Sequence, residues 1–520
     1  MGRMDTVVST PVGRVRGAVV DGVHVFLGIP YAAPPFGRRR LRPPEPVDPW
    51  DGVRDATELG PEPPQVAPPS AGAPGEGASG DWSDVGEAFA RVTRAAPSED
   101  VLNLDLWTPD PGARGLPVMV WIQGGMFELS STAAYDGSTF ARDGVVCVVI
   151  NWRPGAEGFL NLGDGIANVG LLDQVAALTW VRESIAAFGG DPDNVTVFGE
   201  SAGAMAIGML LGMPSAEGLF RRAILQSGAA HRVMPDADAR RIGAHLAELL
   251  GVPPERRAIA EAGIDRLLEA QARLKDELMA DPDPARWGAE VVATMMPWEP
   301  SVDGEVIPAP PVERIAAGAA RDIDLIIGSN VDDWRLWSVV GGVFATITDE
   351  IMSGPVERFG YQSLAAYGLS PDAALSAYRA RHPQASAGDV FALVQTDWWI
   401  RVPALRLADA HAGMEGRTYM YEFAWSSPGL GAVHALEIPF VFGRLGPDVP
   451  LFGPMLGADA PQELADTMHR AWIAFASTGD PGPEWPRYDL DRRATMRFDV
   501  SSQVVPDPRA WERELWNGVR

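Results

Sequence analysis

The sequence predicts an α/β fold in which helices cover both faces of a mostly parallel β-sheet. Short apolar runs rich in β-branched residues, typical of buried strands, occur at residues 118–122, 145–150, 195–198, 223–226 and 324–328. Between them lie helical patterns, of which residues 168–187 are the clearest, with apolar side chains at helical spacing from Leu171 to Val181. Strands that alternate with helices predict parallel strands joined by crossover helices.

The chain of 520 residues is expected to form one domain, residues 1–520, because no boundary separates independent parts. Two segments, about 237–293 and 351–412, have helix-forming compositions and predict helical insertions that cap the sheet. Residues 61–80 are nearly all Pro, Gly, Ala, Ser and Glu, which is too poor in large apolar side chains to build core. This segment predicts a flexible surface loop.

Composition and charge restrict the partners. Hydrophobic residues make up 46% and charged residues 22% of the chain, as in globular proteins with a packed core. The 43 Lys and Arg against 69 Asp and Glu give a net charge of -26. This charge repels phosphate backbones and anionic membranes, so neither nucleic acid nor a membrane is an expected partner.

The cysteine content and the N-terminal sequence predict a cytoplasmic protein. The only cysteine, Cys147, lies in an apolar run and is expected to be a buried thiol, so no intrachain disulfide forms. Residues 1–29 lack the apolar core of a secretory signal, and no stretch of about 20 apolar residues occurs.

Residues 199–203, Gly-Glu-Ser-Ala-Gly, match the G-x-S-x-G pattern of a nucleophile elbow. In this motif a strand turns sharply into a helix and presents the serine. The predicted strand 195–198 precedes the motif and a helix-forming run at 204–211 follows it, whereas a chance Gly-Ser turn would lack both. The motif therefore predicts Ser201 as a nucleophile.

A nucleophilic serine needs a base within hydrogen-bond reach and an acid that orients the base. His434 lies in the segment 431–443, after a strand-like run, where the base of such a triad follows the acid along the chain. The other six of the seven histidines lie outside such a motif and are expected to be structural or exposed. The acid is expected after the strand 324–328, where spacing leaves both Asp332 and Asp333 open.

The oxyanion of a tetrahedral intermediate needs N–H donors. Residues 116–127 contain a predicted strand that opens into two glycines. The backbone amides of Gly125 and Met126, together with that of Ala202 beside the nucleophile, are the predicted donors. The alternative is that the paired glycines only make a turn.

Ordered blocks of the sequence resemble the type-B carboxylesterase family of cholinesterase-like α/β-hydrolases, and in particular its bacterial para-nitrobenzyl esterase branch. These blocks span nearly the whole chain and are FLGIPYAAPP (26–35), RPPEPVDPW (42–50), SEDVLNLDLWTP (98–109), residues 168–181, FGGDPDNVTVFGESAG (188–203), QSGA (226–229) and HALEIPFVFG (434–443). The resemblance implies the α/β-hydrolase fold and a triad of Ser201, His434 and Asp333, where relatives usually carry glutamate. It also implies that Ser227 supports the acid and that Glu200 acts beside the triad.

The sequence departs from the family pattern around the expected substrate pocket. Relatives usually read His-Gly-Gly-Gly or His-Gly-Gly-Ala in the oxyanion loop, whereas this chain has glutamine first and Met126 last. A family block usually written Asn-Tyr-Arg-x-Gly has tryptophan in second place, and an acidic residue follows it. A reshaped pocket is therefore expected, with the wall candidates Gln123, Phe127, Trp152 and Glu157. Trp334 and Trp337 are further candidates, and core packing is the alternative that explains most of the 17 tryptophans.

The combined pattern predicts a serine carboxylesterase that hydrolyses small-molecule esters through an acyl-enzyme, with no metal and no organic cofactor. An acyltransferase or cyclase, in which a substrate hydroxyl or amine resolves the same intermediate, is the first alternative. A non-catalytic binding protein of the cholinesterase-like type is the second. A monomer and a homodimer are both compatible with the sequence.

Overall fold

The computed structural model of the protein describes residues 4–66, 99–340 and 342–519. It contains a sheet of 13 strands, most of its centre parallel, with helices packed on it, which confirms the predicted α/β class. From residue 67 onward, the predicted flexible loop 61–80 lies outside the described residues.

The strands follow a mixed order with a parallel centre. They are β1 (Met4–Thr10), β2 (Gly13–Val20), β3 (Val23–Pro30), β4 (Val53–Asp55), β5 (Asn103–Thr108), β6 (Leu116–Ile122), β7 (Val146–Ile150), β8 (Gly190–Glu200), β9 (Arg222–Gln226), β10 (Met234–Pro235), β11 (Ser301–Val302), β12 (Asp324–Asn330), β13 (Thr418–Phe423), β14 (Ala494–Phe498) and β15 (Gln503–Pro506). The main sheet has the order β1-β2-β3-β5-β7-β6-β8-β9-β12-β13-β14-β15, with β4 beside β2. Neighbours from β7 to β14 are parallel. The five predicted strands are found as β6 to β9 and β12.

The central strands are buried on both faces. In β7, the side chains of Val146, Val148 and Ile150 join one apolar core, and those of Cys147 and Val149 join the other. Successive side chains of a strand point to opposite faces, so the continuous apolar run supplies both cores at once.

Helices fill the connections between the strands. They are Ser138–Arg142, Gly155–Phe159, Val169–Ser184, Ala202–Gly212, Asp236–Leu250, Arg256–Glu261, Ile264–Ala280, Pro284–Trp287, Ala289–Thr294, Pro311–Ala316, Arg335–Val340, Asp349–Ser353, Val356–Phe359, Pro371–Arg381, Ala387–Thr396, Val402–His411, Ile438–Val441, Gly453–Leu456, Gln462–Thr478 and Ala510–Leu515. The predicted helix 168–187 appears as Val169–Ser184 followed by a 3-10 turn. In the described part of the chain, no helix is both long enough and apolar enough to cross a membrane.

The predicted site residues follow the carboxyl ends of neighbouring strands. β6 precedes Gly125 and Met126, β8 leads into Ser201, β12 precedes Asp333 and β13 precedes His434. Together with β9, these strands are consecutive and parallel in the sheet, so their carboxyl ends meet at one edge. Open α/β sheets hold their ligands outside that edge.

Candidate active site

Ser201 occupies a sharp turn between β8 and the helix Ala202–Gly212. Its φ of 56° and ψ of -127° lie outside the regions that L-residues usually adopt. The turn presses the helix onto the end of β6. A Cβ on Gly199 would lie 2.5 Å from the carbonyl oxygen of Ile122, and a Cβ on Gly203 would overlap the same oxygen. The two glycines of the motif therefore have a steric cause.

The carboxylate of Asp333 holds the imidazole of His434. Asp333 Oδ1 lies 2.8 Å from His434 Nδ1, and both side chains are buried. The other carboxylate oxygen, Oδ2, accepts a hydrogen bond from the backbone N–H of Asn330 at 2.8 Å. The backbone N–H of His434 also donates to the carbonyl of Asp333 at 3.2 Å, so side chains and backbone both join the two loops.

Asp332, the other carboxylate that spacing left open, binds the backbone of the loop before His434. Its Oδ2 accepts a hydrogen bond from the N–H of Ala432 at 2.9 Å. Its own N–H donates to the carbonyl of Ala432 at 3.0 Å. Asp332 therefore fastens this loop, and Asp333 contacts the imidazole.

A second carboxylate lies against the other imidazole nitrogen. Glu200 Oε1 is 2.8 Å from His434 Nε2, and both side chains are buried. Burial lowers the pKa of the imidazole, but the Glu200 and Asp333 carboxylates outweigh it and raise the pKa of His434 to about 10. Burial also raises the pKa of Glu200. Among the described residues, Ser201 Oγ makes no hydrogen bond to His434 in this arrangement.

A third buried carboxylate, Glu437, belongs to the same site and escaped the sequence analysis. The side chain of Asn330 donates to Glu437 Oε2 at 2.7 Å, and Gln226 donates to Oε1 at 3.2 Å. Burial, followed by the charges of Glu200 and Asp333, raises the pKa of Glu437 to about 8. Glu437 lies only three residues after His434 in the same sequence block, and this proximity is the signal that could have found it.

The loop after β6 keeps a positive φ from Gly125 to Phe127, with values of 131°, 56° and 57°. Among the described residues, the N–H groups of Gly125 and Met126 donate to no protein acceptor. The N–H of Ala202 lies in the first turn of its helix, where amides have no intrahelical partner. Three backbone donors are thus available near Ser201.

Ser227 does not reach Asp333, although the family resemblance implies that it supports the acid. Its Oγ is buried and has no hydrogen-bond partner among the described residues. Aspartate is one methylene shorter than the glutamate usual in the family, and its second oxygen is already bonded to the Asn330 N–H.

A cavity of about 290 Å³ opens beside Ser201 and Ala202. Its wall is mostly apolar and contains five methionines and four aromatic residues: Met126, Met205, Met279, Met295, Met296, Trp334, Trp337, Tyr361 and Trp399. The rings of Trp334 and Trp399 are stacked with centroids 5.1 Å apart. Trp337 lies 4.3 Å from the His434 ring, between centroids. Trp334 and Trp337 are thus placed at the cavity.

The other four expected pocket residues, Gln123, Phe127, Trp152 and Glu157, do not line this cavity, and their place in a substrate pocket stays a prediction. Gln123 donates to Ser130 Oγ at 2.8 Å and so fastens the base of the oxyanion loop. Phe127 and Trp152 are buried and both pack on Phe159. Glu157 forms a buried ion pair with Arg40 at 2.7 Å.

The sequence and the fold match known esterases along nearly the whole chain. The model of the carboxylesterase family matches residues 4–516. The chain is 36% identical over 522 residues to para-nitrobenzyl esterase of Bacillus subtilis (strain 168), covering 98% of each protein. It is 35% identical over 527 residues to fumonisin B1 esterase of Sphingopyxis macrogoltabida, covering 95% of this chain and 86% of that protein.

Solved structures agree with the sequence comparison. The carboxylesterase EST55 of Geobacillus stearothermophilus superposes with a TM-score of 0.79 and 36% identity, covering 98% of this chain and 100% of that one. The sheet, the turn after β8 and these likenesses define an α/β-hydrolase. The chain belongs to the carboxylesterase family and is a carboxylic ester hydrolase, as the sequence predicted.

Proposed function

We propose that the protein hydrolyses small-molecule carboxylic esters through an acyl-enzyme formed on Ser201. The observation that carries the proposal is the 2.8 Å contact between Asp333 Oδ1 and His434 Nδ1, at the sheet edge where the elbow presents the serine. Asp333 keeps the proton of the neutral imidazole on Nδ1 and leaves Nε2 as the base. His434 then takes the hydroxyl proton of Ser201 during attack and returns it to the leaving alcohol.

Water completes the reaction. It attacks the acyl-enzyme while His434 accepts its proton, which releases the acid and restores the Ser201 hydroxyl. In both steps the ester carbonyl oxygen becomes negative. We assign its stabilisation to the N–H groups of Gly125, Met126 and Ala202, because the first two are free and the third begins a helix. One such donor typically contributes about 2.7–4 kcal/mol.

Glu200 controls when His434 becomes a base. A protonated imidazole cannot accept the serine proton, and the Glu200 carboxylate stabilises that protonated form through its 2.8 Å contact with Nε2. Attack therefore requires the imidazole to lose its proton and the Glu200 oxygen to leave Nε2. Activity is expected to increase as the pH rises through the pKa of His434.

The cavity wall supports an apolar ester as substrate. Methionine side chains are flexible and polarizable, so five of them accommodate apolar groups of varied shape. The stacked rings of Trp334 and Trp399 offer a flat surface to an aromatic group. One relative is named a para-nitrobenzyl esterase, and para-nitrobenzyl esters are therefore the first substrates to test.

We propose that the segments 237–293 and 351–412 cap the site within one domain, residues 1–520. The first contributes Met279 to the cavity wall, and the second contributes Tyr361 and Trp399. Both segments therefore build the substrate pocket, while the strand ends supply the reacting groups.

Product analysis tests the proposed reaction. With para-nitrobenzyl acetate and an abundant alcohol or amine acceptor, we expect free acetic acid as the main product. Ser201→Ala should lower kcat by about 10⁶ with an unchanged melting temperature. Transfer of the acyl group to the acceptor would favour an acyltransferase or cyclase, and unchanged turnover in the variant would reject the acyl-enzyme. No turnover of any ester by the wild type would favour a binding protein.

A further inference from the structure

Lys275 is the only lysine in the 520-residue sequence, and every other residue counted among its 43 Lys and Arg is arginine. It lies on the helix Ile264–Ala280, with Met279 one turn further on, and both line the cavity that opens at Ser201. Among the described residues of the cavity wall, Lys275 is the only charged one. Lys275, which carries the only side-chain primary amine of the sequence, therefore lies in the proposed substrate pocket.

Two protein acceptors hold this amine in place. Lys275 Nζ donates to Glu128 Oε1 at 2.9 Å and to the carbonyl of Met295 at 2.6 Å. A protonated amine has three N–H donors, so one remains. The Lys275 side chain is 25% exposed, and no further protein acceptor for it is found in the described part of the chain. The remaining donor is available to a ligand in the cavity.

The shape of the group explains why this position carries lysine in a chain that otherwise uses arginine. A guanidinium is planar and has five donors, which would need more acceptors than Glu128 and Met295 provide. An ammonium is compact, and two acceptors leave it with a single free donor. Lysine thus places one charged hydrogen-bond donor in a wall made mostly of apolar side chains.

The charges around Lys275 favour a neutral acceptor over an anion. Glu128 lies within ion-pair distance and compensates the ammonium charge. The whole chain carries a net charge of -26, which disfavours the entry of an anionic substrate. A carbonyl or ether oxygen accepts a hydrogen bond without bringing a further negative charge.

We propose that Lys275 is a specificity-determining residue that binds a neutral oxygen acceptor in the non-reacting part of an otherwise apolar ester. This inference rests on the proposed ester hydrolysis at Ser201 and names the substrate class of the same cavity. The competing explanation is a purely structural clamp, because Glu128 follows the oxyanion loop and its N–H donates to the carbonyl of Gly125 at 2.9 Å.

The test compares two esters of equal length and the same acyl group, of which one has an ether oxygen in the distal alcohol part and the other a methylene. We expect the wild type to prefer the ether ester by roughly tenfold in kcat/KM, as for a hydrogen bond to a charged group. In Lys275→Met this ratio should fall to about one, since methionine fills similar space without a donor.

Glu128→Met is the matched control, because it breaks the same ion pair and introduces the same side chain but keeps the amine. The preference for the ether ester should survive in Glu128→Met. If both variants slow both esters equally and keep the ratio, Lys275 is only a clamp and the inference is overturned. A third ester with a distal carboxylate that is preferred over the ether ester would also overturn the neutral-acceptor assignment.

Chemical modification gives a second readout on the wild-type fold. An amine-directed acetylating reagent meets one side-chain amine in this chain, Lys275, besides the terminal amine. An acetyl group that it leaves on Ser201 is removed by the hydrolysis proposed above, whereas the amide on Lys275 remains. Acetylation should abolish the preference for the ether ester, and the ether ester should protect Lys275 from the reagent better than the methylene ester. Equal protection by the two esters would contradict the proposal. A wild type that hydrolyses neither ester would instead contradict the proposed function itself.

Discussion

The catalytic floor and the cavity wall of this site are built in different ways. The floor consists of the proposed catalytic residues Ser201, Asp333 and His434 and the proposed oxyanion loop 123–127, all of which follow the ends of parallel strands. Its backbone is held in unusual conformations, with a φ of 56° at both Ser201 and Met126, and each carboxylate oxygen of Asp333 has a specified partner. Small displacements there are therefore expected to be costly.

Most of the wall comes from helices and loops outside the floor, and Met126 belongs to both. It consists mostly of methionine and aromatic side chains, with Trp334 stacked on Trp399, and its one charged member, Lys275, has two acceptors. Such surfaces tolerate changes of shape. Substitutions in the floor should therefore abolish catalysis, whereas substitutions in the wall should change which substrates the protein prefers.

The largest effect in the floor, after loss of the nucleophile, is expected for Asp333→Asn. The amide cannot stabilise the imidazolium and favours the wrong tautomer of His434, so kcat should fall by about 10⁴. Asp332→Asn is the matched control and should lose far less, because Asp332 bonds the backbone of Ala432. Steady-state kinetics of both variants measures this. A larger loss in the Asp332 variant would move the acid by one residue.

Gly203→Ala should break the elbow itself. The added Cβ would overlap the backbone carbonyl of Ile122, so the helix must shift and carry Ser201 with it. We expect kcat/KM to fall by at least about 10² and the free energy of unfolding by about 1–3 kcal/mol. Gly112→Ala provides the control, since the nearest neighbour of its Cβ is the carboxylate of the exposed Asp110 side chain at 3.2 Å and not a backbone carbonyl. Equal behaviour of the two variants would refute the steric account of the motif.

Glu200→Gln should change the pH dependence more than the maximum rate. Glu200 raises the pKa of His434, and the neutral imidazole is the active base, so activity rises with pH through that pKa. Without the negative charge, the rising limb of kcat/KM against pH should move to lower pH by roughly one to three units. Asp332→Asn serves as the control and should leave the limb in place. An unmoved limb in the Glu200 variant would show that Glu200 does not govern the base.

Residues of the floor could be predicted from the sequence because short-range sterics and the order of the elements along the chain restrict which residue type each position accepts. The crowding around Ser201 requires glycine on both sides, and His434 follows a late strand as the chain order of such a triad demands. Spacing could not separate Asp332 from Asp333, and only the family resemblance chose between them. Their different partners depend on how two loops dock, which no local pattern encodes.

The wall was harder to predict because neighbours in sequence point in different directions. Met126 lines the cavity, while the next residue, Phe127, is buried against Phe159, although both have left-handed backbones. Met205 and Met295 lie far apart in the chain and meet only through the packing of helices on the sheet. The contact of Glu200 with the imidazole and the buried Glu437 likewise arise from tertiary structure.

Labelling with an organophosphate tests the central claim most directly. Intact-mass and peptide mass spectrometry should find one label per chain, on Ser201, with loss of esterase activity in proportion to labelling. Ser201→Ala should take up no label and show no turnover above background. A label on another residue, or full activity after Ser201 is labelled, would contradict the assignment of Ser201 as the nucleophile.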